Sequence, residues 1–125
     1  MTRLIAAYPI SGEDTDALPV RALDPAIRFY EAVLGFTVVQ RASAEATLVR
    51  DGVRLGLVAQ ADHDPGRAGS LAVEVDDLEA LHGELERAGG RPGEFGVDEW
   101  DGCAHRTFFL REGENGYCYC FYHPA

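Results

Sequence analysis

One pattern recurs in this chain and limits its fold more than any other. A helix opens on aspartate, stops on glycine and is followed by three extended runs, twice over. In "LDPAIRFYEAVLGF", Asp24 suits the cap and Pro25 the first helical position, while Ala26, Ile27, Tyr30, Val33 and Leu34 fall on one face. Gly35 stops the helix. In "DDLEALHGELERAGG", Asp76 or Asp77 caps, Leu78, Leu81, Leu85 and Ala88 form the apolar face, and Gly89 stops it. The two stopping glycines are 54 residues apart (35 to 89). Helices are therefore expected over 25–34 and 77–88.

Behind the first helix, "FTVVQR", "ATLVR" and "VRLGLVAQ" read as strands. Asp51-Gly52 joins the last two, the dipeptide a two-residue hairpin favours. "ADHDPGRAG" (61–69) reads as a solvated loop whose adjacent Asp62, His63 and Asp64 do not converge on one ion. The pattern then restarts. "SLAVEV" alternates as a strand and precedes the second helix; a weaker strand falls near 94–98, and "HRTFFLR" and "YCYCFYH" flank an "EGENG" turn. A repeat this long is a duplicated supersecondary unit rather than a solenoid array. Each helix covers one face of its sheet, so the other faces must bury each other or enclose something. The expected fold is α+β, a curved cup with helices outside, as one domain over 1–125 with module one about 1–60 and module two about 70–125. A ferredoxin-like sandwich has a similar mix of elements, but the two consecutive strands after each hairpin fit it less well.

Composition narrows the function. A net charge of -10 leaves no basic stripe to displace counterions from nucleic acid. It suits solubility first and a cationic ligand second. No apolar run reaches the length of a membrane span, and "MTRLIAAYPI" is too short, and broken by Pro9, for a signal peptide. A cytoplasmic location follows as the expectation, with the three cysteines held as thiols. Cys118 and Cys120 would lie about 6.5 Å apart on one strand with parallel side chains, which is poor disulfide geometry.

"PVRALDPAIRFYEAVLGF", "LAVEVDDLEALHGELERAGG" and "FFLREGENGY" resemble the vicinal oxygen chelate superfamily, the glyoxalase, bleomycin-resistance and extradiol dioxygenase group. The resemblance runs from about Asp16 to the C-terminus. It implies two βαβββ modules forming a cup, a homodimer, and in the metal enzymes four ligands, one on each of four strands. Carried over to this chain, those positions are Thr15, Gly56, Ser70 and either Tyr119 without gaps or Cys120 if "NGY" is matched to the family's "DGY". If "LIAAYPIS" is the first strand instead, it holds no His or Glu either. Such a set does not make a divalent metal site, so no metal and no cofactor are expected. In the ungapped register Tyr117, Tyr119 and Phe121 share the cavity face, and Cys118, Cys120 and Tyr122 point to the helix; the shifted register reverses the faces. The first is the expected one, because a buried free cysteine is usually a packing residue.

On "SLAVEV", Ser70, Ala72 and Glu74 share one face and Leu71, Val73 and Val75 the other. Glu74 and His105 are the candidate acid or base groups, each also readable as an exposed rim residue. Trp100, alone among acidic and glycine residues, suits stacking on a planar or cationic group, or else closing a loop. The leading expectation is a protein that binds a planar or cationic small molecule through Trp100, Tyr117, Tyr119, Phe121 and Ser70, without metal catalysis. The rivals are a lyase, isomerase or dioxygenase-like enzyme with a displaced site built from His105, Glu74 and Cys120, and a non-catalytic interaction protein with a filled cup.

Overall fold

A computed structural model of the protein describes residues 2–10 and 14–124. β1 (Leu4–Pro9) comes first and stands outside the repeat. The first unit is β2 (Leu18–Val20), α1 (Leu23–Ala32), β3 (Thr37–Arg41), β4 (Glu45–Arg50) and β5 (Val53–Ala59). The second is β6 (Ser70–Val75), α2 (Leu78–Arg87), β7 (Gly96–Trp100), β8 (Cys103–Arg111) and β9 (Cys118–Pro124). Each unit makes its own sheet, in the orders β2-β5-β4-β3 and β1-β6-β9-β8-β7. In both, the strand before the helix runs parallel to the last strand of its unit, pairing Leu18 with Leu57 and Leu71 with Tyr119. The α+β fold of two βαβββ units is thus as the repeat implied.

The N-terminal run, grouped by sequence with the first half, belongs to the second sheet. Tyr8 pairs with Ala72 and Pro9 with Leu71 along β6, which would otherwise be an open edge. Ser11, the last residue of that run, lies outside the described residues. The start of β1 is tied to both units. Thr2 Oγ1 and the Arg3 amide donate to Asp76 Oδ1 (3.1 and 2.7 Å), and the Leu4 amide to Asp51 Oδ2 (3.0 Å). The Arg3 amide holds the Asp76 carboxyl below the usual carboxylate range.

The helices differ at their starts. Asp77 caps α2 by accepting from the Ala80 amide (3.0 Å). α1 begins earlier than expected, at Leu23, and its cap residue Ala22 makes no side-chain cap bond. Asp24 is therefore not a cap: it sits in the first turn and pairs with Arg41 at the surface (2.9 Å). Pro25 is tolerated there because amides of the first turn lack intrahelical acceptors. α2 ends with Gly89 at φ 92°, where the Gly90 amide returns to the Leu85 carbonyl (2.9 Å) and the Gly89 amide to Glu86 (3.1 Å).

The helix-facing sides of both sheets share one core with both helices, including Leu18, Leu48, Leu55 and Leu57 from the first sheet and Leu71, Val73, Phe108 and Phe121 from the second. Arg50 ties the units together from β4. Its guanidinium donates to the Leu34 carbonyl (2.8 Å), to both oxygens of Glu84 (2.7 and 3.2 Å) and to the Thr2 carbonyl (3.2 Å). A cavity of about 440 Å³ adjoins this group, but Arg50, which lines it, is already engaged by these acceptors and by Asp51.

The 61–69 loop corrects a second expectation. Asp62 and Asp64 are exposed, yet His63 is buried. His63 Nε2 donates to the Asn115 carbonyl (2.8 Å) and the ring stacks on Tyr117 (5.7 Å, 11°). Arg21 donates to the His63 carbonyl (3.0 Å) and Tyr117 to the Pro19 carbonyl (2.7 Å), so the loop clasps the two units. Among the described residues, no helix is long and apolar enough to cross a membrane.

Candidate ligand-binding face

The second sheet's side away from the helices is the candidate site. On β6, Leu71, Val73 and Val75 are buried, and Ser70, Ala72 and Glu74 alternate with them on the open side. Cross-strand partners share a face. Cys118, Cys120 and Tyr122, opposite Ser70, Ala72 and Glu74, therefore lie on the open side. Tyr119 and Phe121, opposite Leu71 and Val73, lie on the helix side.

The faces of β9 are thus the reverse of the expected ones. Tyr119 is 1% exposed, and its hydroxyl is hydrogen-bonded to that of Tyr30 on α1. The two rings meet edge-on (6.1 Å, 83°), and Phe121 stacks on Phe108 (5.2 Å, 29°). Burial pushes both phenol pKa values up, so they stay protonated. Tyr117 is equally buried, in the clasp beside His63. None of Tyr117, Tyr119 and Phe121 lines the open face. The physical reason is volume: the gap between the second sheet and the helices needs rings, and thiols would leave it empty.

What does line the open face is a cavity of about 310 Å³ between Ile10, Ala72, Trp100 and Cys120. Trp100 ends β7, just before the Asp101-Gly102 turn (φ 53° and 73°). This hairpin escaped the sequence reading, although Asp101-Gly102 repeats the Asp51-Gly52 signal. The turn lets Trp100 fold back flat over His105 (3.6 Å, 2°), with Tyr122 edge-on to it (5.1 Å, 82°). His105 is 8% exposed, and its Nδ1 has no hydrogen-bond partner among the described residues. Asp98, opposite His105, accepts from Thr107 (2.6 Å).

Burial, with the Asp98 carboxylate adding to it, pushes the Cys120 thiol up to about 11. The thiol therefore remains neutral and poorly nucleophilic at pH 7. Burial, then Glu74, raises Tyr122 to about 12. Glu74 stands opposite Tyr122, and His105 packs on that same ring (5.5 Å). Among the described residues no hydrogen bond joins Glu74 to His105, so the candidate acid and base are not assembled as a pair. Ser70 sits at the end of this face, its carbonyl accepting from the Ile10 amide (2.9 Å). Tyr8 and Phe109, opposite Ala72 and Cys120, leave the face apolar and about half exposed, at 49% and 45%.

The residues do not fit the four-ligand metal centre of the resemblance. Tyr119 is under a helix, Cys120 is a neutral thiol, and a side chain at Gly56 would run into the Asp16 carbonyl. Among the described residues, no three His, Cys, Asp or Glu side chains gather where they could hold an ion.

Residues 14–120 match the family described as the Glyoxalase/Bleomycin resistance protein/Dioxygenase superfamily. No curated protein matches the chain. Among solved structures, a bleomycin resistance determinant encoded on the transposon Tn5 superposes with a TM-score of 0.76 at 24% identity, over 91% of this chain and 98% of that one. A bleomycin-binding protein complexed with bleomycin superposes at 0.74 and 23%, over 92% and 100%. A bleomycin-binding protein from bleomycin-producing Streptomyces verticillus, complexed with copper(II)-bleomycin, gives 0.64 and 26%, over 85% and 90%.

Proposed function

The chain belongs to the Glyoxalase/Bleomycin resistance protein/Dioxygenase superfamily, and within it we propose that this protein binds a small molecule in the cavity of its second sheet, without metal catalysis. The observation that carries the reading is that cavity: about 310 Å³, walled by Ile10, Ala72, Cys120 and the chain's single Trp. An apolar slot beside a flat indole takes the planar part of a ligand. The His105 ring behind Trp100 holds the indole in place, so stacking demands little reordering. The net charge of -10 adds long-range attraction for a ligand that is also cationic. Bleomycin, bound by two of the similar proteins, is the first ligand to try.

The same face supports self-association. Tyr8, Ile10 and Phe109 leave it widely apolar, and a second copy closing over it would bury that surface and complete the site. We place the homodimer in the cytoplasm, where Cys103, Cys118 and Cys120 remain free thiols.

Trp100 fluorescence tests the reading, because no other Trp contributes. The protein is titrated with metal-free bleomycin, with 9-aminoacridine as a planar cation and with phenazine as a neutral ring of like shape. Saturable quenching with a rise in melting temperature is the expected result. No quenching and no melting shift with any of the three would refute it. Light scattering at micromolar concentration should return the dimer mass, and a monomer mass would refute the dimer.

A further inference from the structure

The repeat allows the pocket to be compared with its own counterpart. Val20 and Val75 each stand three residues before their helices, at Leu23 and Leu78. Leu18 then matches Val73, and their partners Leu57 and Phe121 match in turn. One residue earlier on each last strand, Gly56 matches Cys120. Cys120 lines the cavity. Gly56 faces main chain: a Cβ built on it would lie 1.9 Å from the Asp16 carbonyl oxygen and 2.5 Å from the Asp16 carbonyl carbon. The Gly56 amide donates to the Thr15 carbonyl (2.8 Å), fixing that approach. In the second unit the strand before the helix runs straight from Ser70, opposite Cys118. In the first unit the matching stretch is a turn, closed by the Ala17 amide on the Asp14 carbonyl (3.0 Å) and the Asp16 amide on Asp14 Oδ1 (2.9 Å).

We infer that Gly56 decides where this cup is open. Having no side chain, it lets the Asp14–Ala17 turn lie directly on β5, and main chain fills the first-sheet counterpart of the pocket. The confinement of ligand to one cavity per chain rests on the function proposed above; the closure itself does not. The closure also reaches the metal question. Position 56 is where the resemblance puts an acidic ligand, and here a backbone carbonyl occupies the space its side chain needs. The bar to that centre is thus main-chain packing as well as missing donors. New side chains at the remaining positions would not create it.

Two experiments test this without any organic ligand. Gly56→Ala should lower the melting temperature by more than about 5 °C, because a backbone carbonyl cannot swing aside as a flexible side chain does. An unchanged melting temperature would overturn the closure. The variant T15H/S70H/C120E restores donors at three positions and leaves Gly56 alone. Titrated with Co(II), it should show no visible d–d absorption at one equivalent. A stoichiometric tetrahedral or five-coordinate Co(II) spectrum would overturn the inference, and should the triple variant not fold, the Gly56→Ala melt decides the closure by itself. Failure of Trp100 quenching, by contrast, would sink the proposed function and leave the closure standing.

Discussion

Gly56 in the first sheet and Cys120 in the second stand at matching places, yet one is covered by main chain and the other opens on a cavity. The surrounding elements differ in the same sense. Among the described residues, the first sheet has four strands and a three-residue leading strand; the second gains β1 along β6 and reaches five. One unit is therefore finished by packing and the other by an exposed apolar face. Duplication supplies two equal scaffolds, and what is laid on each decides whether a cavity stays open. The lesson recurs within β9, where rings fill the helix side and thiols line the open side.

The largest effect should come from emptying the closed side of β9. Tyr119→Ala removes a fully buried ring and leaves the Tyr30 hydroxyl without its partner. It should cost about 3–5 kcal/mol of stability by denaturant melts, while the folded fraction keeps its affinity for a quenching probe. Selective loss of affinity with stability intact would break the comparison of the two faces.

Trp100→Ala acts on the open side. It should weaken a stacking ligand by about 1–3 kcal/mol, read by calorimetry, with a smaller loss of stability than Tyr119→Ala. Equal affinity in the variant would move the binding face elsewhere.

The helix starts give a smaller contrast. Asp77→Ala removes a real cap and should cost about 1 kcal/mol. Asp24→Ala removes only an exposed ion pair and should stay within about 0.5 kcal/mol. Equal losses in urea melts would mean that the two helices begin alike after all.

The smallest effect is a pH dependence. The Cys120 thiol is raised from 9.0 to about 11 in the folded protein, so the unfolded chain loses its proton first. Its contribution to stability is complete below about pH 9 and is lost as pH rises to about 11. Tyr122, raised from 10.0 to about 12, adds to the same alkaline loss. Exposed Cys103 should react with iodoacetamide at pH 8 well before Cys120, as peptide mass spectrometry would show. Cys120 reacting first would place its thiol in water.

Much of this molecule was legible in its sequence. Both helices, their stopping glycines, the Asp51-Gly52 hairpin and the period-two strands follow from short-range chemistry, in which a few neighbouring residues determine backbone geometry. That also placed Ser70, Ala72 and Glu74 on one face of β6 and singled out Trp100. Local pattern misled where distant chain intervened. Asp24 looks like a cap, but the chain turns into α1 at Leu23. His63 looks solvated between two aspartates, but Asn115 and Tyr117 bury it.

Sequence alone determined which residues of each strand share a face, because alternation is a property of the extended backbone. Only the tertiary structure decided which face is inside. On β9 that choice depends on the gap the helices leave, and Tyr119 fits it only because Tyr30, 89 residues away, supplies the facing ring and hydroxyl. Likewise, Gly56 reads in the sequence as a missing ligand. Its role as the floor beneath a turn exists only once β2 is laid beside β5, because a close approach of two backbones is invisible until both are in place.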